Sequence, residues 1–222
     1  MSILQKSIIL LIIGACSVGI FSITKTKEEK FWIWFSNNSE KLFQFQKDQK
    51  LIFDELAREL KKIHPDLVFE FGPIINNKRD FVLSADGIKS AFPAVEKLYK
   101  NHPNLKEWNF IKFRPRRKSI NTIEFSGKKI TQDDLKFAIF EEDEPNKIGL
   151  IIFINGFNEE DEEIYTQIAY LFLDQIIGEY DVETHIASII IQGFDSKYFN
   201  NSKSITNLAD SFDLKINKKN SK

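Results

Sequence analysis

Seventeen consecutive residues, Ser7 to Ile23, carry no charged side chain, and this run divides the chain before any fold can be argued. A stretch so apolar either seeks lipid or has to be wrapped in a core. Lys6 is the only charge ahead of it, and Ile8 to Ile13 is almost purely aliphatic. Gly14 and Ala15 follow, then Cys16. A charged start, an apolar stretch and small residues before a cleavage point are the layout of a secretory signal.

Ile13-Gly14-Ala15-Cys16 also resembles the bacterial lipobox, in which the cysteine becomes the lipidated first residue of the mature protein. Cys16 is the only cysteine of the chain, which excludes an internal disulfide. The competing reading is an uncleaved anchor helix. At ~1.5 Å per residue the uncharged run spans about 25 Å, the lower limit for a hydrocarbon core of ~30 Å. Lys25, Lys27 and Lys30 lie beyond it, and positive-inside counting would then favour a cytoplasmic domain. On either reading residues 1–26 attach the chain to a membrane. A lipidated Cys16 would place the domain outside the cytoplasm, and an uncleaved segment would make it a single-pass protein with an N-terminal anchor.

The remainder has enough apolar volume for a sizeable core. The chain is 42% hydrophobic and 28% charged, with 21 phenylalanines. A net charge of −1 removes long-range attraction to a nucleic-acid backbone, so no nucleic-acid partner is expected. Residues 27–195 read as one domain, and 196–222 as a polar, flexible tail.

Periodicity sets the elements. An aromatic cluster from Glu28 to Phe35 is a short helical segment. Ile52, Leu56, Leu60 and Ile63 mark a helix over Asp48 to Ile63, ended by His64-Pro65. Leu67–Phe71 and Phe81–Ala85 read as strands around Asn76-Asn77-Lys78, and Ser90–Asn101 as a helix with Pro93 in its first turn. Trp108–Phe113 and Thr122–Phe125 are further strands. Leu135–Phe140 and Ile148–Ile154 form a hairpin whose second strand is apolar on both faces. Glu160–Ile177 is a strong helix ended by Gly178, and Thr184–Gln192 a final strand, with one helical turn at Leu208–Phe212. No internal repeat is visible. Adjacent hairpins with helices beside them give the α+β class, an antiparallel or mixed sheet of about six to seven strands flanked by helices.

Several stretches resemble an uncharacterised family of bacterial proteins over roughly residues 28–195. They are Phe69-Glu70-Phe71-Gly72-Pro73, Ser84-Ala85-Asp86-Gly87-Ile88-Lys89, Ala91-Phe92-Pro93-Ala94-Val95, Phe113-Arg114-Pro115-Arg116 and Gly178-Glu179-Tyr180-Asp181-Val182-Glu183-Thr184. The resemblance carries no activity and no catalytic residue with it.

Three patterns bear on chemistry. Lys112, Arg114 and Arg116 share one face if the strand continues, and with Trp108 on that face they suit a phosphate or carboxylate; solvated charges paired to carboxylates explain them as well. Asp86-Gly87, between a strand and a helix, directs backbone N–H groups toward an anion, while Asp86 itself caps the turn or pairs with Lys89. Asp174, Glu179, Asp181 and Glu183 gather around a helix end, where two carboxylates in a cleft suit acid–base work and pairing with the nearby arginines suits structure. Their spacing matches no metal loop, the three histidines are far apart, and no phosphate-binding or dinucleotide glycine motif appears. No metal and no cofactor are expected. Two functions remain in play: a membrane-anchored, non-enzymatic binding or envelope-associated domain for a protein or small anion, and an enzyme of unfamiliar type built on those carboxylates and arginines.

Overall fold

The computed structural model describes residues 24–120 and 122–220, so Cys16 and the leader lie outside the described residues. The first helix starts where a capping box starts it. Glu29 N–H donates to the Thr26 hydroxyl at 3.2 Å, and Thr26 N–H donates to the Glu29 carboxylate at 2.8 Å. Helix α1 (Lys27–Asn37) then buries Phe31, Trp32 and Phe35. Short α2 (Ser39–Phe43) and longer α3 (Gln49–Lys61) follow, and α3 buries Ile52, Leu56 and Leu60.

Strands β1 (Val68–Ile75) and β2 (Lys78–Ser84) pair antiparallel around Asn76-Asn77. Both asparagines have positive φ, 51° and 60°, the geometry that fits a tight hairpin to twisted strands. A 3-10 turn leads into α4 (Phe92–Lys100), and β3 (Trp108–Lys112) returns parallel to β2. The core of this half is aromatic: Phe35 has ring centroids 4.9 Å from Phe81 and 5.0 Å from Trp108. Trp32 Nε1–H donates to Leu98 O at 2.8 Å, tying α1 to α4.

A second core begins after residue 122. A small hairpin, β4 (Ile123–Phe125) with β5 (Lys128–Ile130), precedes β6 (Leu135–Glu141) and β7 (Ile148–Ile154). Helices α5 (Glu162–Ile177) and α6 (Glu179–His185) lead to β8 (Ile186–Gln192), parallel to β7. Two-residue β9 (Lys203–Ser204) pairs with β6, and α7 (Leu208–Asn220) is the last element among the described residues. All seven residues of β7 are buried. One face meets Ile168, Phe172 and Phe212, and on the other the Phe140 ring lies over Gly149 while Phe199 meets Phe153 at 5.6 Å.

The protein is therefore α+β, with strands in three small sheets among the described residues: β1-β2-β3, β4-β5 and β8-β7-β6-β9. The single sheet of six to seven strands expected from the sequence does not form. The chain turns out of β3 at Phe113, and the buried apolar residues divide into one cluster from residues 31–113 and another from 123–216. The two halves repeat one topology that the residues do not advertise: hairpin, 3-10 turn, helix, then a strand parallel to the hairpin's second strand. The 3-10 turn and helix begin at residues 89 and 92 in the first half and at 159 and 162 in the second.

Two further expectations are corrected. Residues 179–185 are helix α6, so the last long strand starts at Ile186 rather than Thr184. The segment expected to be a flexible tail supplies β9 and α7, because Ile205, Leu208, Phe212 and Ile216 recur at helical spacing and are buried. Lysines and asparagines between those anchors had masked the stripe.

Candidate functional site at the junction of the halves

Residues 113–118 carry the chain from the first half to the second. Phe113 has φ 61°, and its N–H donates to Leu83 O at 2.7 Å, which ends β3. Lys112, Arg114 and Arg116 consequently do not share a strand face. Lys112 stays exposed, 3.6 Å from Glu96. Trp108 is buried, with Nε1–H donating to the Ser39 hydroxyl at 2.7 Å, so it belongs to the aromatic core and not to a binding edge.

The two arginines point into the junction. Arg114 donates from Nε to Glu70 at 2.6 Å, from one Nη to Asp86 at 2.8 Å and from the other to Asp174 at 3.4 Å. Arg117 reaches the other oxygen of Glu70 at 3.3 Å. Arg116 donates to Ile177 O at 2.9 Å, at the C-terminal end of α5 where a cation complements the helix dipole. Its two Nη groups grip Asp213 at 2.9 Å each, and one also meets Asp181 at 2.9 Å. Asp86 is thus engaged by Arg114.

Glu179 sits under this network with 0% exposure. One carboxylate oxygen accepts the N–H groups of Ala85 at 3.0 Å and Gly87 at 3.2 Å, and the other accepts Arg114 N–H at 2.9 Å. Glu179 N–H in turn donates to Arg114 O at 3.0 Å. The Asp86-Gly87 turn does present N–H groups to an anion, and the anion is a carboxylate of the chain itself. Gly87, at φ 76°, supplies the left-handed geometry, and a Cβ there would stand 3.1 Å from a Glu183 oxygen.

Asp174 lies beside Arg114 with a side chain 15% exposed. Burial pushes its carboxyl up to about 7; Arg114 opposes that rise, while the Glu179 and Glu183 charges reinforce it. Burial and the Glu179 charge raise Glu183 too. A carboxyl with a raised folded pKa binds its proton more tightly in the native state, so it favours folding at low pH. Stability falls as pH rises from the ordinary 3.8 toward about 7. Asp174→Asn is expected to flatten the pH 4–7 stability slope and to leave the protein at least as stable as the parent at pH 8. Urea unfolding at three pH values checks it, and an unchanged slope would assign the titration elsewhere.

A shallow groove of about 320 Å³ opens beside the network, lined in part by Lys112, Arg114, Arg116, Gly178, Tyr180 and Asp181. Among the described residues no group of three His, Cys, Asp or Glu side chains is placed to hold a metal ion. No family model, curated protein or solved structure matches the chain. What the junction does is set by its own geometry.

The structure brings Arg114, Arg116, Asp174, Glu179, Asp181 and Glu183 to one junction, with Lys112 lining the adjoining groove beside the two arginines, and leaves Trp108 in the aromatic core. It adds Glu70, Asp86 and Asp213 as partners. Glu70 had one visible signal: it alternates with Phe69 and Phe71, which puts it on the sheet face opposite the aromatic core. Arg79 gave none. It is 2% exposed, its guanidinium carbon is 4.6 Å from the Phe45 ring centroid, and it donates to Gly72 O at 2.9 Å.

Proposed function

We propose that this chain is a membrane-tethered, non-enzymatic binding protein associated with a bacterial cell envelope, recognising a protein partner or a small anion. The observation that carries this reading is the engagement of the junction's charged groups with one another. Arg114 is held by three carboxylates, Arg116 by two, and Glu179 by three N–H groups. Groups paired in this way fix a shape. A catalytic pair has to present a proton or a charge to substrate instead. The enzyme reading, with Asp174, Glu179, Asp181 and Glu183 set against Arg114 and Arg116, keeps one observation in its favour: the Asp174 carboxyl lies near neutrality, where proton transfer is efficient. Its contact with Arg114 argues for a structural role.

In this reading the leader holds the protein to the membrane, through lipid on Cys16 or as an uncleaved anchor, and no cofactor or nucleic acid takes part. The support for this attachment is the uncharged run Ser7 to Ile23 and the lipobox-like Ile13-Gly14-Ala15-Cys16; among the described residues no helix is long and apolar enough to cross a membrane. Mass spectrometry of the N-terminus from native membranes tests it. A diacylated or triacylated Cys16 is the expected product, and Cys16→Ser is expected to block processing. An intact Met1 on membrane-bound chain would select the anchor, and full-length chain in the soluble fraction would overturn both.

A further inference from the structure

Strand β9 covers Lys136 and Phe137 of β6 and then stops. β6 continues to Glu141, and over Ala138–Glu141 no strand among the described residues pairs with that edge. An open strand edge offers N–H and C=O groups from alternate residues to any extended segment that can reach it. The uncovered length is about 13 Å at ~3.3 Å per residue, room for a short strand.

The surroundings specify what that segment carries. A groove of about 340 Å³ runs along the edge, lined in part by Ala138, Ile139, Lys203, Leu214 and Lys218. It shares Leu214 and Lys218 with a second hollow of about 670 Å³ that reaches Glu141. Leu214, on α7, is 63% exposed, an apolar side chain facing water at the groove wall. Lys215 and Lys219 are engaged by Glu141, whereas among the described residues Lys203 and Lys218 have no carboxylate at ion-pair distance.

We propose that this groove takes an extended acidic peptide, which adds to β6 in line with β9 and sets carboxylates against Lys203 and Lys218. The proposal rests on the binding-protein reading and names the class of partner. Main-chain hydrogen bonds to the edge supply affinity, and the lysines and Leu214 supply selection. A second copy of the chain is a poor occupant, because edge-to-edge pairing of two β6 strands would bring the same lysines together.

The test uses the full chain in detergent micelles and a fluorescent capped hexapeptide alternating valine and glutamate, with the valine–lysine counterpart as comparison. The acidic peptide is expected to bind with a salt-sensitive affinity and to slow amide exchange over Ala138–Glu141. Lys218→Glu and Lys203→Glu are each expected to weaken it roughly tenfold. Lys129→Glu, on the exposed β4-β5 hairpin, is expected to leave it unchanged. Equal binding of both peptides, indifference to both groove variants, or no binding at millimolar peptide would overturn the proposal. Lipidation of Cys16 and membrane attachment are read separately, so failure at the groove leaves the tethered-binder reading to be judged on its own test.

Discussion

Glu179→Ala is expected to lower the unfolding free energy by about 3–5 kcal/mol, because three backbone donors around a fully buried carboxylate lose their acceptor together. Ala85 and Gly87 belong to the turn that ends β2 in the first half, Arg114 to the connection, and Glu179 to the first turn of α6 in the second. One carboxylate therefore ties three backbone segments, and an alanine leaves all three N–H groups facing a cavity. Glu179→Gln retains an acceptor oxygen but turns an NH₂ group toward one or more of the donors, so a smaller loss of about 2 kcal/mol is expected. The three tryptophans, Trp32, Trp34 and Trp108, all lie in the first half, so their fluorescence follows that half while circular dichroism follows both. In the parent the two urea transitions are expected to coincide, and in Glu179→Ala to separate as the halves lose their common tie. A loss under about 1 kcal/mol with coincident curves would show that Glu179 is not the tie.

The same contrast explains what could be read from residues alone. Helix α3 and helix α5 declare themselves because Ile52, Leu56 and Leu60, or Ile164, Ile168, Leu171 and Ile176, recur at helical spacing, although Leu171 proves exposed and Phe172 takes the buried position beside it. Strand β7 is legible because seven near-apolar residues in a row leave no solvent face. Such signals are local. The junction is not local: Glu70 and Arg114 are 44 residues apart and Arg116 and Asp213 are 97 apart. A pairing at that distance leaves no spacing to recognise, so the candidate residues could be named but most of their partners could not. The strand continuing through Arg114 and Arg116 failed at one residue. Phe113 adopts a left-handed conformation that a phenylalanine rarely takes, and nothing in its side chain announces it. Helix α7 is legible only as the single turn Leu208–Phe212 for a different reason: its buried positions are few and its mean composition is polar. The Asp86-Gly87 turn was half legible. Its N–H groups were expected to meet an anion, but Glu179, 92 residues beyond Gly87, was not expected to provide it.

Arg114→Ala is expected to cost about 3–5 kcal/mol at pH 8, and distinctly less at pH 5. The parent arginine stands between Glu70, Asp86 and Asp174 with a side chain 18% exposed, so removing it leaves three carboxylates without their shared cation. Burial lowers the guanidinium's own pKa while hydrogen bonds to Asp86 and Glu70 raise it, with a net rise, which keeps it charged at any pH at which the protein is folded. The pH dependence therefore comes from the carboxyl side. Asp174 already titrates near 7 with Arg114 lowering it, so without Arg114 its folded pKa rises further and its proton is retained at pH 5. Protonation removes the unpaired charge, which is why acid relieves the variant more than the parent. Arg114→Lys keeps the cation but not the fork that serves three carboxylates at once, and is expected to fall between. Combining Arg114→Ala with Asp174→Asn is expected to recover part of the loss at pH 8 and little at pH 5, since the second change matters only where Asp174 would be charged. Urea titrations of the parent, Arg114→Ala, Asp174→Asn and their combination at both pH values give the cycle. Equal losses at pH 5 and pH 8 would mean that the Arg114 side chain acts by packing, and that the charge on Asp174 is balanced elsewhere.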